Sequence, residues 1–214
     1  MSTPGTRRVG LTGGIATGKT HVRARLAAYG VPTIDADLLA REAVAPGSEG
    51  LRQVAAHFGP EVLTQTGELD RGALGARVFT DSSARHALEA IIHPWVQRAI
   101  DAWFDALPPS CPYAVADVPL LFEAGFEGGY DRVIVTACAP HTQLSRLMSR
   151  DGLSDTDARR RIAAQWPLAE KVRRADFVIL TDGSLEDTEA QVLAVCQALD
   201  ALWPAGASTG GTRD

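Results

Sequence analysis

Short apolar segments of strand length alternate with segments of helical spacing along the chain. The apolar runs cover residues 8–12, 31–34, 113–118, 132–136 and 176–180. They lack the polar–apolar alternation of a strand with one wet face, which is typical of strands that helices cover on both sides. Because helical segments separate these runs, the sequence predicts a three-layer α/β fold around a central parallel sheet.

Between residues 48 and 107 the strand signal fades, and apolar positions recur every three to four residues. The positions that follow this spacing are Leu88, Ile91, Ile92, Trp95, Ala99 and Trp103. Pro94 interrupts the pattern, so we expect a kink or a helix start there. We interpret the region as a helical insertion. A second helical stretch is predicted at 141–174, and we expect both stretches to lie over the carboxyl ends of the strands.

Capping signals define some of the other predicted helices. A helix at 19–29 is expected to end at Gly30, and a second helix is plausible at 38–44. For the last helix, which is predicted to end at residue 202, Ser184 and Asp187 have the spacing of a capping box. The Gly/Ser/Thr-rich end, 205–214, is predicted to be frayed.

Composition and charge exclude several classes of protein. The 214 residues carry a net charge of −5, which argues against nucleic-acid binding, because such binding depends on neutralising phosphates. Three scattered cysteines argue against a disulfide framework or a zinc ribbon, and each is expected to be a small buried residue. No signal peptide or membrane span is apparent. We expect a cytoplasmic protein without a nucleic-acid, membrane or obligate protein partner.

The sharpest signal is a phosphate-binding loop between the first apolar run and the first helix. It matches the pattern GxxxxGK[ST] and consists of Gly13, Gly14, Ile15, Ala16, Thr17, Gly18, Lys19 and Thr20. In such a loop glycines let backbone N–H groups point at phosphates, the lysine contacts the β- and γ-phosphates, and the threonine hydroxyl ligates Mg²⁺. The nucleotide site is expected to extend to His21. The alternative is a fortuitous glycine-rich turn, although the strand and helix around it disfavour that.

The choice of lysine at position 19 is itself informative. Lys19 and Lys171 are the two lysines among 21 basic residues. A compact ammonium fits inside a phosphate loop where a planar guanidinium does not.

Absent residues narrow the class of nucleotide-binding protein. The chain contains no asparagine, so it cannot carry the Asn-Lys-x-Asp motif with which Ras-type GTPases bind guanine. A short chain with helical insertions favours a small-molecule kinase. A nucleoside-monophosphate kinase, a shikimate-type kinase and a nucleotide-binding regulatory module without turnover remain alternatives.

Three aspartates are candidates for chemistry. Asp117 ends an apolar run beside the loop, where a carboxylate can hold Mg²⁺ through water, in the outer coordination shell; the alternative is a simple strand-end or capping residue. Asp35 and Asp37 point the same way on an extended segment, and one of them could accept the proton of an acceptor hydroxyl. The alternative for these two is helix capping, which by position suits Asp37.

Positive charge is concentrated between residues 141 and 174, which hold eight of the 21 basic residues. They are Arg146, Arg150, Arg159, Arg160, Arg161, Lys171, Arg173 and Arg174. Arg146 and Arg150 share a face of the predicted helix. In a kinase such a segment is a lid that closes on ATP. The alternative, a solvated charged helix, suits 159–161 best.

The chain resembles the dephospho-coenzyme A kinase family from about residue 8 to about residue 190. A phosphate loop is common to many families, and its combination with the other motifs is far more specific. The stretches that carry the resemblance are GLTGGIATGKT at 10–20, IDAD at 34–37, AREAV at 40–44, HFG at 57–59, GELDRGAL at 67–74, VF at 78–79, HP at 93–94, DVPLLFEAG at 117–125, RLMSRDGLS at 146–154, ARRRIAAQWPLAEK at 158–171 and RADFVI at 174–179.

The resemblance implies a P-loop kinase that transfers the γ-phosphate of ATP, with Mg²⁺, to the 3′-hydroxyl of the ribose of dephospho-CoA. This is the last step of coenzyme A synthesis. The family's architecture implies a nucleotide-binding core, a helical acceptor domain, a helical lid and a flexible tail. We assign the core to 1–45, 108–138 and 175–205, the acceptor domain to 46–107, the lid to 139–174 and the tail to 206–214.

The same resemblance implies roles for individual residues. Asp37 matches the general base and an acceptor contact, Lys19 and Thr20 match the phosphate and metal positions, and Arg146 matches a lid arginine near the phosphates. Further contacts are expected with ATP at Arg150, and with the acceptor at Arg41, Arg71, His93, Leu120, Phe122 and Glu123.

Two departures from the family pattern affect the nucleotide site. Ala16 stands where the family often has glycine, and a Cβ is tolerable there only if φ stays negative. Leu180, Thr181, Asp182 and Gly183 occupy a stretch where the family often has an asparagine, so a contact of that asparagine with the adenine base is not expected here.

Overall fold

The computed structural model describes residues 5–204, apart from the side chain of Phe79. The predicted tail at 206–214 lies outside these residues. The strands are β1 Arg7–Gly13, β2 Thr33–Asp35, β3 Tyr113–Asp117, β4 Arg132–Ala137 and β5 Phe177–Leu180. The helices are α1 Lys19–Ala28, α2 Ala36–Ala43, α3 Glu49–Phe58, α4 Arg71–Thr80, α5 Ser82–Asp105, α6 Pro140–Asp151, α7 Asp155–Ala163, α8 Leu168–Arg174 and α9 Leu185–Leu202.

The five strands form one sheet in the order β2-β3-β1-β4-β5, and the pairs β1–β3, β1–β4 and β4–β5 are parallel. The predicted α/β class with a parallel sheet is confirmed. Strand β1 is central, so its carboxyl end meets those of its neighbours at one edge. The register pairs Leu11 with Asp117 and Gly13 with Thr136, which brings the phosphate loop beside Asp117.

One face of the sheet is covered by α1 and α9, which pack against each other. Val9 and Leu11 of β1 lie with Val22 and Leu26 of α1 in one buried cluster. Each such side chain contributes roughly 1.5–3 kcal/mol on burial, so this cluster anchors the start of α1 directly behind the phosphate loop.

The cysteines behave largely as expected. Cys138 and Cys196 are buried, Cys111 is half-buried, and all three are free thiols. Burial raises the pKa of each thiol above its usual value. The thiolate is the nucleophilic form, so these residues are not suited to nucleophilic chemistry.

The chain divides into two compact units. The first holds residues up to Ile34 and from Phe104 onward, and the second holds Asp35–Trp103. The second unit is helical and has its own apolar cluster, which includes Leu51, Val54 and Phe58. The finer boundaries predicted for an acceptor domain and a lid stay predictions.

Helix α5 runs through Pro94 without a break, so a helix start there is wrong, and the kink that was the other expectation stays a prediction. A proline inside a helix costs ~3 kcal/mol because it removes a backbone hydrogen bond and crowds the preceding turn. Burial of Val96 and Ile100 in the turns that follow offsets part of this cost. Although α5 has 24 residues, no helix within residues 5–204 is both long and apolar enough to cross a membrane.

The predicted capping box at the start of α9 is confirmed. The Asp187 backbone N–H donates to Ser184 Oγ at 3.0 Å, and the Ser184 N–H donates to Asp187 Oδ2 at 3.0 Å. Ser184→Ala removes the first of these bonds and should lower the free energy of unfolding by about 1 kcal/mol in urea titration. Ser110→Ala, in an exposed turn, is the control. Equal midpoints for the two variants would contradict a stabilising role of the cap.

Candidate active site

The phosphate loop connects β1 directly to α1. Strand β1 ends at Gly13, and α1 begins at Lys19 after Gly18, whose φ of 83° is left-handed. Among the residues that the structure describes, no side chain caps this helix, which leaves its first backbone N–H groups to an anion. A Cβ on Gly13 would clash with Thr136 of β4, so only glycine fits at this position. The predicted loop is thus present with its strand and helix.

Ala16 does not have the negative φ that we expected. Its φ is +61°, the one positive value at a non-glycine residue within the described chain. The loop must turn its peptide groups inward at this point, and that requirement prevails over the preference of an L-residue. The left-handed conformation costs an alanine roughly 1–2 kcal/mol, which the surrounding structure has to offset.

Three buried threonines hold the loop from its outer side. Thr17 Oγ1 donates to Gly14 O at 2.8 Å, and it lies 2.8 Å from the hydroxyl of Thr136 on β4. Thr181 Oγ1, just after β5, donates to Thr17 O at 3.0 Å. The loop is therefore fastened to two strand ends, which fix the path of its backbone.

Lys19, Asp117 and Arg23 form a charged cluster at the base of the loop. Lys19 Nζ contacts Asp117 Oδ1, and Arg23 Nε lies 3.3 Å from Asp117 Oδ2. The Asp117 side chain is only 2% exposed, so both of its oxygens face cations in a site largely closed to water. Asp117 lies at the predicted strand end beside the loop; the predicted role with metal stays a prediction.

The first turn of α1 offers further polar atoms. Thr20 is exposed at the mouth of the loop, where its hydroxyl can reach a metal ion. His21 Nε2 is buried and has no hydrogen-bond partner among residues 5–204. Within that range no group of three or more His, Cys, Asp or Glu side chains could hold a metal ion.

Arg146 reaches the loop through Thr181. Its guanidinium donates to Thr181 Oγ1 at 2.9 Å and to Thr181 O at 2.6 Å. Arg150, one turn later on α6, instead binds its neighbour Asp151 and is exposed. Of the two arginines that share this helix face, Arg146 is therefore the one tied to the nucleotide site.

The run at 159–161 fits the alternative of a solvated charged helix. Arg159, Arg160 and Arg161 pair with exposed or partly exposed aspartates of the same helical region, namely Asp155, Asp157 and Asp151. Such exposed pairs contribute ~0–1 kcal/mol each.

Lys171, one of the eight basic residues of the predicted lid segment, is fully buried. Its ammonium donates to Gly13 O at 3.1 Å and lies 2.7 Å from Glu123 Oε1. The same Glu123 oxygen accepts the backbone N–H of Trp166 at 3.0 Å. The scarcity of lysine in the chain is the one sequence signal that could have identified this position. Glu123, predicted to face the acceptor, is engaged in this structural pair.

Two glutamines that the sequence did not indicate hold the two peptide units on either side of Ile15. Gln143 Nε2 donates to Ile15 O at 2.8 Å, and the Ile15 N–H donates to Gln165 Oε1 at 2.7 Å. Gln143 is buried on α6, and Gln165 follows α7. Glutamine is an ordinary surface residue, so no local pattern could have identified them.

The other residues predicted near the acceptor in the first unit differ in exposure. Leu120 is 42% exposed, whereas Phe122 is buried. The Phe122 ring stacks on Trp166 with centroids 6.4 Å apart. Arg174 lies over the Trp166 ring, 4.9 Å from its centroid. Phe122 therefore has a packing role, and Leu120 is the one that remains accessible.

The stretch after β5 ties that strand to α6. Asp182 accepts the Thr142 hydroxyl at 2.7 Å and the Ala139 N–H at 2.9 Å. These bonds, the one from Thr142 first, hold the pKa of Asp182 below its usual value. In the stretch where the family often has an asparagine, this chain thus has the carboxylate of Asp182, which fastens the start of α6, the helix that carries Gln143 and Arg146.

In the second unit, Asp35 is the residue that caps α2. Its carboxylate accepts the backbone N–H groups of Asp37 and Leu38 at 2.9 and 3.4 Å. Capping by Asp37 is therefore wrong, because the helix begins at Ala36, two residues earlier than predicted. Arg41 and Arg71 are exposed, and His93 is half-buried on α5.

Comparison with known proteins gives a consistent result. A family model described as dephospho-CoA kinase matches residues 7–187. The chain is 48% identical to a dephospho-CoA kinase of Geobacillus kaustophilus over 198 residues, 92% of this chain and 98% of that protein. The structure resembles TT1252 from Thermus thermophilus, with a TM-score of 0.79, 36% identity and coverage of 91% and 98%. It also resembles dephospho-CoA kinase from Campylobacter jejuni, with a TM-score of 0.69, 28% identity and coverage of 91% and 97%.

Ala16→Gly should stabilise the protein. Glycine adopts a positive φ without the steric cost to alanine, and this gain exceeds the extra flexibility of the unfolded chain, so unfolding should require about 0.5–1 kcal/mol more. Ala24→Gly, an exposed position inside α1, is the matched control and should lose about 1 kcal/mol. Chemical denaturation measures both. Destabilisation of the two variants by the same amount would argue that Ala16 is unstrained.

Proposed function

Since the chain belongs to the dephospho-CoA kinase family, we propose that its phosphate loop holds ATP while Asp37 accepts the proton of the attacking hydroxyl. The chain carries out the final ATP-dependent step of coenzyme A synthesis. The acceptor atom in this proposal is the 3′-hydroxyl of the ribose of dephospho-CoA. The observation that carries it is the loop that the threonines hold in place, with Lys19 where it enters α1 and, among residues 5–204, no side-chain cap on the N-terminus of that helix.

Binding of ATP requires Lys19 to change partner. In the structure its ammonium contacts Asp117. Lysine contacts phosphate oxygens in loops of this type, so we propose that the β- and γ-phosphates replace Asp117 as its main partner. Arg23 Nε lies 3.3 Å from Asp117 Oδ2, and we propose that it gives the carboxylate its counter-charge during this exchange.

Mg²⁺ fits the donors at this place. The Thr20 hydroxyl and the Asp117 carboxylate supply oxygen ligands, which magnesium prefers, and we propose that Asp117 holds the ion through water. When bound, the ion supplies positive charge to the phosphates and lowers the repulsion met by the incoming hydroxyl. Lys19 and Arg146 add charge at the transferring group, the latter after leaving Thr181.

Asp37 is the better candidate for the base because Asp35 is occupied. The Asp35 carboxylate caps α2. The Asp37 side chain is exposed, and within residues 5–204 no hydrogen bond or ion pair engages its carboxylate. A carboxylate free of other partners can accept a proton from a hydroxyl that is held against it.

An acceptor panel tests the proposed function. ADP release is measured with ATP and Mg²⁺ and with dephospho-CoA, AMP, adenosine or shikimate as acceptor, and with EDTA in one arm. We expect turnover with dephospho-CoA and Mg²⁺, with coenzyme A as the product and none after chelation. Turnover with AMP or shikimate instead would favour the rival kinases, and ATP binding without turnover would favour a regulatory module.

Asp37→Asn should lower kcat by about 10²–10⁴-fold and leave ATP binding largely intact, since it removes a proton acceptor and not a phosphate contact. Steady-state kinetics and calorimetric titration with ATP measure the two effects. Asp35→Asn is the comparison, because asparagine caps helices about as well as aspartate. A large loss in Asp35→Asn with near-normal kcat in Asp37→Asn would exchange the roles of the two residues.

A further inference from the structure

Among the described charged residues that have no part in the proposed reaction, Lys171 is the most completely buried. Its side chain is 0% exposed, on α8, 158 residues from the glycine that it contacts. A buried ammonium is costly unless each of its protons finds an acceptor. A residue of this kind calls for a reason beyond filling space.

The contacts of Lys171 join three separate segments. Its ammonium binds Gly13 O, the first carbonyl of the phosphate loop, and Glu123 Oε1 on the turn after β3. Glu123 in turn accepts the N–H of Trp166, in the connection between α7 and α8. One lysine thus links the loop, the turn that carries Leu120 and Glu123, and the predicted lid.

The carbonyl of Gly13 is a sensitive place to hold the loop. The peptide bond is planar and trans, so fixing the direction of Gly13 O also fixes the direction of the Gly14 N–H. Gln165 fixes the direction of the next peptide unit by accepting the Ile15 N–H, and Gln143 fixes the one after it by donating to Ile15 O. The N–H groups of such a loop bind phosphates only when they converge, and that convergence is a property of these peptide planes.

We propose that Lys171 is a positioning residue for phosphoryl transfer, which orients the phosphate loop by binding Gly13 O and, since it lies in the predicted lid, couples the loop to that lid, with Glu123 as its counter-charge. This inference rests on the proposed nucleotide-binding role of the loop. Lysine suits it better than arginine because one compact ammonium can satisfy a carbonyl and a carboxylate oxygen together. The chain uses arginine at every basic position other than 19 and 171.

The first test is Lys171→Met, which keeps the apolar stem and removes the ammonium. A charged hydrogen bond of this kind corresponds to about 10–100-fold in affinity, so we expect the Kd of a non-hydrolysable ATP analogue with Mg²⁺ to rise by about that factor. KM for ATP should rise with it. Calorimetry measures the binding step without the acceptor.

Ser184→Ala is the matched control, because it lowers stability at a helix cap that does not contact the loop. Both variants are measured well below their unfolding temperatures. A purely structural role for Lys171 predicts reduced stability in both variants with wild-type Kd and KM for ATP, and that result would overturn the proposal. The two proposals can fail separately. If the wild-type protein does not turn over dephospho-CoA but Lys171→Met still binds the ATP analogue more weakly than the wild type, the assigned acceptor is wrong and the positioning role of Lys171 stands.

A second measurement uses the unmodified chain, in case Lys171→Met does not fold. With ¹⁵N-lysine labelling, the side-chain ammonium signals come from two residues, Lys19 and Lys171. The proposal expects a slowly exchanging signal from Lys171 that persists when the ATP analogue binds, and a large shift of the Lys19 signal. Exchange of the Lys171 ammonium as fast as that of an exposed lysine would show that the link to Gly13 does not exist in solution.

Discussion

The backbone between Gly13 and Lys19 imposes the constraint on which the remaining structure depends. Within these few residues the chain leaves a strand, turns its peptide N–H groups toward one point and enters a helix. Such a path leaves carbonyl groups pointing outward, where they need donors. Thr17 of the loop itself donates to Gly14 O, and side chains from distant parts of the chain supply the other donors, Gln143 to Ile15 O and Lys171 to Gly13 O.

Features that depend on local sequence were predictable. Periodicity identified the strands and most of the helices, glycine spacing identified the phosphate loop, and Ser184 with Asp187 identified a cap, because each involves residues a few positions apart. The side chains that hold the loop from far away in the sequence were missed for the opposite reason: Gln143 and Lys171 donate to residues 128 and 158 positions away, and Gln165 accepts from a residue 150 positions away. Only the fold brings them together, and their types carry no local signal beyond the rarity of lysine.

The errors have physical causes of the same kind. The sign of φ at Ala16 follows from the direction that the loop must take, and tertiary contacts prevail over the residue's own preference. Helix α5 continues through Pro94 because the apolar residues that follow are buried. The cap of α2 lies at Asp35 because the helix begins sooner than the apolar pattern indicated. This shift also separates the roles of two aspartates that looked equivalent.

The near absence of lysine has a consequence for the covalent chemistry of the protein surface. One of the two side-chain amines is sealed in the interior, and the other is 16% exposed against Asp117 in the nucleotide site. Reagents that acylate amines, and enzymes that attach groups to lysine, therefore find almost no side-chain target on the outside of the folded chain. A lysine side chain that does react with such a reagent therefore indicates that the nucleotide site is accessible to the reagent or that the protein has unfolded.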